Sequence, residues 1–156
     1  MDFSSALEAL KEGKKVKLPE WTGHWFMEGD QIKVLTGNCT VLDTPYLEDY
    51  KNRTDWEITD GLRDFGGAVK ALKAGKRVAR KGWNGKNMFL FLLPAGTVPT
   101  KAIHDPALRQ VIESEVGGET FEALGSIRMF TADKKILTGW LASQTDILAE
   151  DWVVLI

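Results

Sequence analysis

The sequence predicts an α+β fold of two repeated small units, each an N-terminal helix packed on an antiparallel β-sheet, with the second unit elaborated by an insertion. Three observations carry this. Residues 2–23, DFSSALEALKEGKKVKLPEWTG, return as residues 64–85, DFGGAVKALKAGKRVARKGWNG, with 11 of 22 positions identical at a fixed offset of 62. Each copy begins with an amphipathic stretch of helical period and runs on into short strand-like segments. Each also closes on an Asp-Trp strand, at residues 55–58 and 151–154. Self-similarity at a fixed period defines the structural unit before local propensity is consulted. The domains that follow are 1–60 and 61–156.

In the first unit, Ser5-x-x-Glu8 reads as a capping box, with Ala6, Leu7, Ala9 and Leu10 on the buried side and Gly13 at the stop. A basic strand follows at 15–18. A turn holding Trp21 and Gly23 leads to a strand at 25–27, then a hairpin turn at 28–31 and a strand at 32–35. The second unit repeats this with Val69, Leu72 and Gly75, although Gly66-Gly67 makes a weaker helix start. Its strands fall at 76–80 and 88–93, joined through a type I′ turn at Asn84-Gly85. The copies then diverge: the turn tryptophan and the closing tryptophan are 35 residues apart in the first unit and 69 in the second. The extra length holds a helix from Pro106 to about Glu115, stopped by Gly117-Gly118, and a hairpin from 127–130 to 136–138. It also holds the segment WLASQTDIL.

A unit of about 60 residues buries only about 60% of its unfolded surface and is marginal alone, so the first unit is expected to lean on the second or on another subunit. Hydrophobic residues make up 44% and charged residues 27%, an ordinary globular balance. No apolar run is long enough to span a membrane, and the acidic, amphipathic start argues against a signal peptide. A lone Cys39 allows no internal disulfide, and two distant histidines give no metal-ligand spacing. A cytoplasmic location fits these features.

The net charge of −2 conceals a split, −5 over residues 1–60 and +3 over residues 61–156. Residues 65–104 contain no acid but carry Lys70, Lys73, Lys76, Arg77, Arg80, Lys81, Lys86 and Lys101. Two readings stand: a solvated helix face with a lysine-bearing strand edge, or an anion-binding surface. The length of the acid-free stretch favours the anion. General DNA or RNA binding is disfavoured by the acidic whole.

An enzyme fails on inventory. His24 and His104 sit in no nucleophilic signature, and neither a Walker loop nor a dinucleotide-binding glycine fingerprint is present. A binding site is easier to assemble. Arg80, Lys81, Trp83, Asn84 and Lys86 put three cations, an indole and a flexible turn into seven residues, the chemistry of a phosphate with a stacked base. Trp140, Ser143, Gln144, Thr145 and Asp146 form a second cluster. Ser143 or Thr145 suits a helix N-cap, a helix N-terminus can hold an anion, and Gln144 and Asp146 could read a base edge or ribose hydroxyl.

RKGWNGKNMFLFLLP followed by WLASQTDILAEDW resembles the second Thoeris anti-defence family of phages and prophages. The resemblance covers residues 65–154, interrupted by an insertion at about 95–126. It implies a compact helix-on-sheet protein that assembles into oligomers and acts as a sponge. Such a protein binds a cyclic nucleotide immune signal, of the glycocyclic ADP-ribose or cyclic dinucleotide type, without cutting it. The first unit has Leu18-Pro19-Glu20-Trp21-Thr22-Gly23 in place of Arg80-Lys81-Gly82-Trp83-Asn84-Gly85 and lacks the WLASQ segment, so it reads as a scaffold or subunit substitute. The expectation is a non-catalytic phage anti-defence protein of the host cytoplasm, without cofactor or metal, a homodimer of two-unit chains. An inhibitor docking on a host defence protein and a nucleotide-processing enzyme are the alternatives.

Overall fold

A computed structural model of the chain describes residues 1–43, 46–83 and 87–156. Helix α1 (Phe3–Lys11) is capped by Asp2, whose extended backbone lets its carboxylate accept the Ser5 amide at 2.8 Å. The helix therefore starts ahead of the expected capping box, and Ser5 and Glu8 lie inside it. Helix α2 (Phe65–Lys73) uses Asp64 the same way, accepting the Gly67 amide at 2.7 Å, so Gly66-Gly67 fill its first turn. Both helices stop at a glycine in the left-handed region, Gly13 at φ 81° and Gly75 at φ 77°, where a side chain would be strained.

Strands β1 (Lys15–Lys17), β2 (His24–Glu28), β3 (Gln31–Leu35), β4 (Val41–Leu42) and β5 (Glu57–Thr59) form one antiparallel sheet in the order β4-β3-β2-β1-β5. Strands β2 and β3 pair Glu28 with Gln31 across Gly29-Asp30, the expected hairpin. After α2 come β6 (Arg77–Arg80), β7 (Phe89–Leu93) and β8 (Gly96–Pro99), then α3 (Pro106–Val111), which widens into a π turn over Ile112–Val116. Strands β9 (Thr120–Ala123), β10 (Ser126–Phe130) and β11 (Ile136–Thr138), helix α4 (Gln144–Ile147) and strand β12 (Trp152–Leu155) complete the chain. The second sheet has the order β11-β10-β7-β6-β12, while β8 and β9 pair separately as a two-stranded ribbon. This ribbon, inside residues 95–126, has no counterpart among the sequence expectations; Thr97, Val98 and Thr120, Phe121 supply its β-prone residues. The expected turn at Asn84-Gly85 lies outside the described residues.

Two cores result. One packs Ala6, Ala9 and Leu10 of α1 on Val16, Leu18, Trp25 and Trp56. The other packs Ala68, Ala71 and Leu72 of α2 on Val78, Leu90, Trp152 and Val154, and also takes in Leu35 and Cys39 from the first half. The halves are thus joined by shared apolar burial, reinforced where the Arg63 guanidinium donates to the carbonyls of Gly37 (3.2 Å) and Thr36 (3.3 Å).

Corresponding contacts recur in the two halves, with Phe3, Trp21 and Met1 matched 62 residues on by Phe65, Trp83 and Arg63, and Trp56 matched 96 residues on by Trp152. The Phe3 ring lies 6.0 Å from Trp56 at 47°, and Phe65 lies 5.7 Å from Trp152 at 48°. Trp21 meets Trp56 edge-on at 5.5 Å, and Trp83 meets Trp152 edge-on at 5.6 Å. Met1 bridges Trp56 through two main-chain hydrogen bonds, as Arg63 bridges Trp152. One difference stands out. The Trp152 indole N–H donates to the Asp146 carbonyl at 3.1 Å, whereas that of Trp56 is buried without a partner among the described residues.

Two outcomes follow from this packing. Trp56→Ala removes a ring that is 1% exposed and should cost about 3–5 kcal/mol in urea unfolding. His24 is 3% exposed, and burial, then the charges of Lys15 and Arg63, push its imidazole from 6.5 down to about 4. The unfolded chain therefore takes up the proton first, so this stabilisation is complete above about pH 6.5 and is lost as pH falls towards 4. Unfolding midpoints measured across that window should fall, and the fall should be shallower in His24→Asn.

Candidate functional site

The residues singled out by sequence gather around β12 and the start of α4. Trp152 is fully buried, and its ring is the centre on which Trp83 and Trp140 stand, at 5.6 Å and 6.3 Å, both nearly perpendicular to it. Trp83 and Trp140 are half-buried, so each offers part of an indole to solvent. The Trp140 amide donates to the Ile127 carbonyl at 2.9 Å, tying this segment to β10. Lys81, Ser143, Gln144 and Thr145 are exposed beside them. Asn84 and Lys86 lie outside the described residues.

Arg80 is engaged within the protein. Its Nε donates to Asp151 Oδ1 at 2.7 Å, and its Nη1 donates to Asp146 Oδ1 at 3.1 Å and to the Thr145 carbonyl at 3.4 Å. The acid-free stretch is therefore not without compensation: carboxylates 66 and 71 residues further on fold back onto its central arginine. Asp151 Oδ2 also accepts the Gly82 amide at 3.0 Å. The Arg80 guanidinium, against a smaller opposing effect of burial, holds the Asp151 carboxyl below its usual range. Burial works to raise the Asp146 carboxyl, but hydrogen bonds from Ser143, Arg80 and Trp83 outweigh it and leave it lowered.

Ser143 is the N-cap of α4, as one sequence reading had it. Its Oγ accepts the Asp146 amide at 3.1 Å, while Asp146 Oδ2 accepts the Ser143 amide and hydroxyl at 3.1 Å and 2.7 Å. This capping box spends one Asp146 carboxylate oxygen on the Ser143 amide and hydroxyl, so a negative charge already stands at the N-terminus of the four-residue α4. Arg80 and Asp146 brace the site. Lys81, Trp83, Trp140, Gln144 and Thr145 keep surface open to solvent. Asp151, which is not among the residues singled out by sequence, also braces Arg80, because Trp152 next to it pairs with Arg80 across β12 and β6.

The sequence model of the Thoeris anti-defense 2-like domain matches residues 63–155. The chain belongs to this family. The match spans α2, the second sheet and both tryptophan-bearing segments, and it includes residues 95–126, which the sequence reading treated as an insertion. The chain is also similar to a protein of Bacillus phage SP01 named Thoeris anti-defense 2, with 39% identity over 95 residues that cover 56% of this chain and 89% of that protein. Residues 1–62 lie outside the family match.

Two cavities lie away from these residues. One of about 610 Å³ is lined by Trp21, Trp25, Tyr46 and Tyr50 with Asp43 and Asp49. A second, of about 530 Å³, lies where the halves meet. Among the described residues no group of His, Cys, Asp and Glu could hold a metal, and no helix is long and apolar enough to cross a membrane.

The bracing role of Arg80 is open to measurement. Arg80→Ala strands two carboxylates that are 14% and 28% exposed, and should lower stability by about 1–3 kcal/mol, between the values for exposed and buried pairs. Lys81→Ala should change it by less than about 0.5 kcal/mol in the same urea titration.

Proposed function

We propose that this is a phage anti-defence protein that binds a cyclic nucleotide immune signal, of the glycocyclic ADP-ribose or cyclic dinucleotide type, and sequesters it uncleaved in the host cytoplasm. The observation that carries the reading is membership of the Thoeris anti-defense 2-like family across residues 63–155. The surface around Trp152 suits the ligand chemistry. Trp83 and Trp140 offer faces for a base, Lys81 offers a counter-charge for phosphate, and Gln144 and Thr145 offer hydrogen bonds to a base edge or ribose. Sequestration without cleavage agrees with a site whose carboxylates are committed to Arg80 and Ser143, leaving neither as a general base.

The two halves are read as a tandem duplication whose first copy has lost the Ser143–Asp146 segment. A fused pair replaces one contact of an oligomer internally, at high effective concentration, so a homodimer of two-unit chains is the expected assembly. Exposed Leu141, Leu148, Ile136 and Leu137 give the second half apolar surface for such a contact. A second reading is docking on a host defence protein, favoured by the balance of −5 over residues 1–60 and by Tyr46, which is 84% exposed.

Mass spectrometry of what heat releases from protein incubated with infected-cell lysate tests the sponge: intact cyclic nucleotide is expected, and a converted product would mark an enzyme. Trp83→Ala should weaken calorimetric affinity roughly tenfold to hundredfold, the loss of one stacking contact of about 1–3 kcal/mol. Light scattering should give twice the chain mass of 17.4 kDa.

A further inference from the structure

We infer that the first half, together with the start of α2, carries a separate binding site for a nucleotide-type ligand, its phosphate at the junction of the halves and its base against Trp21, Tyr46 and Tyr50. The site lies mostly in residues 17–50, outside the family match, and does not depend on the surface around Trp152.

The junction cavity is lined by Lys17 of β1, Arg63, and Lys70, Gly66 and Gly67 of α2. Lys17 and Lys70 make no ion pair among the described residues, whereas the carboxylates on the same wall are occupied. Glu20 accepts two hydrogen bonds from Arg53 at 2.9 Å and 3.1 Å, and Asp64 caps α2. Positive side chains are thus left in excess around a space large enough for a phosphate and its ribose. The N-terminus of α2 already holds the Asp64 carboxylate, so the attraction for a phosphate comes from the cationic side chains.

His24 supplies an independent sign. Its side chain is buried, lines both cavities, and has an Nε2 with no partner among the described residues. A buried imidazole nitrogen left without a hydrogen bond is costly in a structure, and such orphans concentrate at sites that work on something else. The imidazole sits under the floor: Cε1 lies 2.9 Å from where a Cβ on Gly61 would stand, and Gly61 also lines the junction cavity.

The two cavities share the 21–24 segment, Glu20 and Gly37 as a common wall. That wall is tightly built, since a Cβ on Gly37 would fall 2.2 Å from Thr22 Oγ1. On its far side the chemistry changes from cationic to aromatic. Tyr46 is exposed, and Trp21 and Tyr50 meet edge-on at 5.3 Å, with Asp49 available to accept from an exocyclic amine. Cations on one side of a thin wall and aromatic faces with a carboxylate on the other match a phosphate and a base joined by a sugar.

The test uses the full chain and follows the ring signals of His24 by NMR during titration with AMP, ribose 5-phosphate and inorganic phosphate. His104, the other histidine, is the internal control. AMP should move the His24 signals and spare His104, and should bind at least tenfold more tightly than ribose 5-phosphate or inorganic phosphate. The Lys17→Ala/Lys70→Ala double variant should lose tenfold or more in AMP affinity with an unchanged melting temperature. Lys81→Ala should bind AMP normally. No movement of His24 at millimolar AMP, or unchanged affinity in the double variant, overturns the site. Equal binding of AMP and ribose 5-phosphate removes the base and overturns the nucleotide assignment. Loss of AMP binding in Lys81→Ala would place it around Trp152 instead, and so overturn a separate site.

Discussion

Each five-stranded sheet has an edge strand with a buried tryptophan at or just before its start, and covering that indole constrains everything around it. Trp152 shows the full set of requirements. Its main chain must bridge Arg63, which fixes where α2 begins, and its ring must be covered by Phe65 from that helix and by Trp83 and Trp140 from two loops. Its N–H needs an acceptor in the core, and the Asp146 carbonyl supplies it. Placing Asp146 there brings its carboxylate to Arg80 and Ser143. The candidate ligand surface is therefore the outer side of a packing solution, which gives its exposed residues a rigid base.

The first half meets the same requirement with fewer parts. Phe3 and Trp21 cover Trp56, and Met1 supplies the bridge, yet no segment like Ser143–Asp146 reaches its indole N–H. Tyr50 fills part of the space with a ring 6.2 Å away and approaches Trp25 at 5.3 Å. An aromatic ring covers apolar surface but cannot take a charge-assisted hydrogen bond, so the position matching Arg80 is free to be Leu18, which is fully buried. The substitution and the missing segment are two sides of one change.

The helices, their glycine stops and the sheet strands other than β4 were legible because they rest on local signals: apolar period, left-handed glycines and alternating strands. The helix starts were misplaced by three residues in the first copy, since Ser5-x-x-Glu8 competes on pattern with Asp2 and only geometry shows which carboxylate reaches the amide. The ribbon of β8 and β9 escaped because its strands are short and separated by α3, and nothing local announces a pairing over that distance. Lys81, Trp83 and Trp140 were singled out by residue type, and each keeps solvent-accessible surface. The commitment of Arg80 was not, because a charge run read along the chain omits acids that return from 66 and 71 residues away.

That omission bears on how charge is read here. The −5 of the first half and the +3 of the second describe chain segments, but the ligand-facing surfaces cross them. Around Trp152 the most buried cation is neutralised by two carboxylates, and Lys81 beside it is exposed. At the junction the order is reversed. Lys17 belongs to the acidic half, Lys70 to the basic one, and each faces a cavity whose own acids are already bound. Coulomb attraction grows as solvent thins, so half-buried Lys17 is the stronger pole at the junction and exposed Lys70 the weaker.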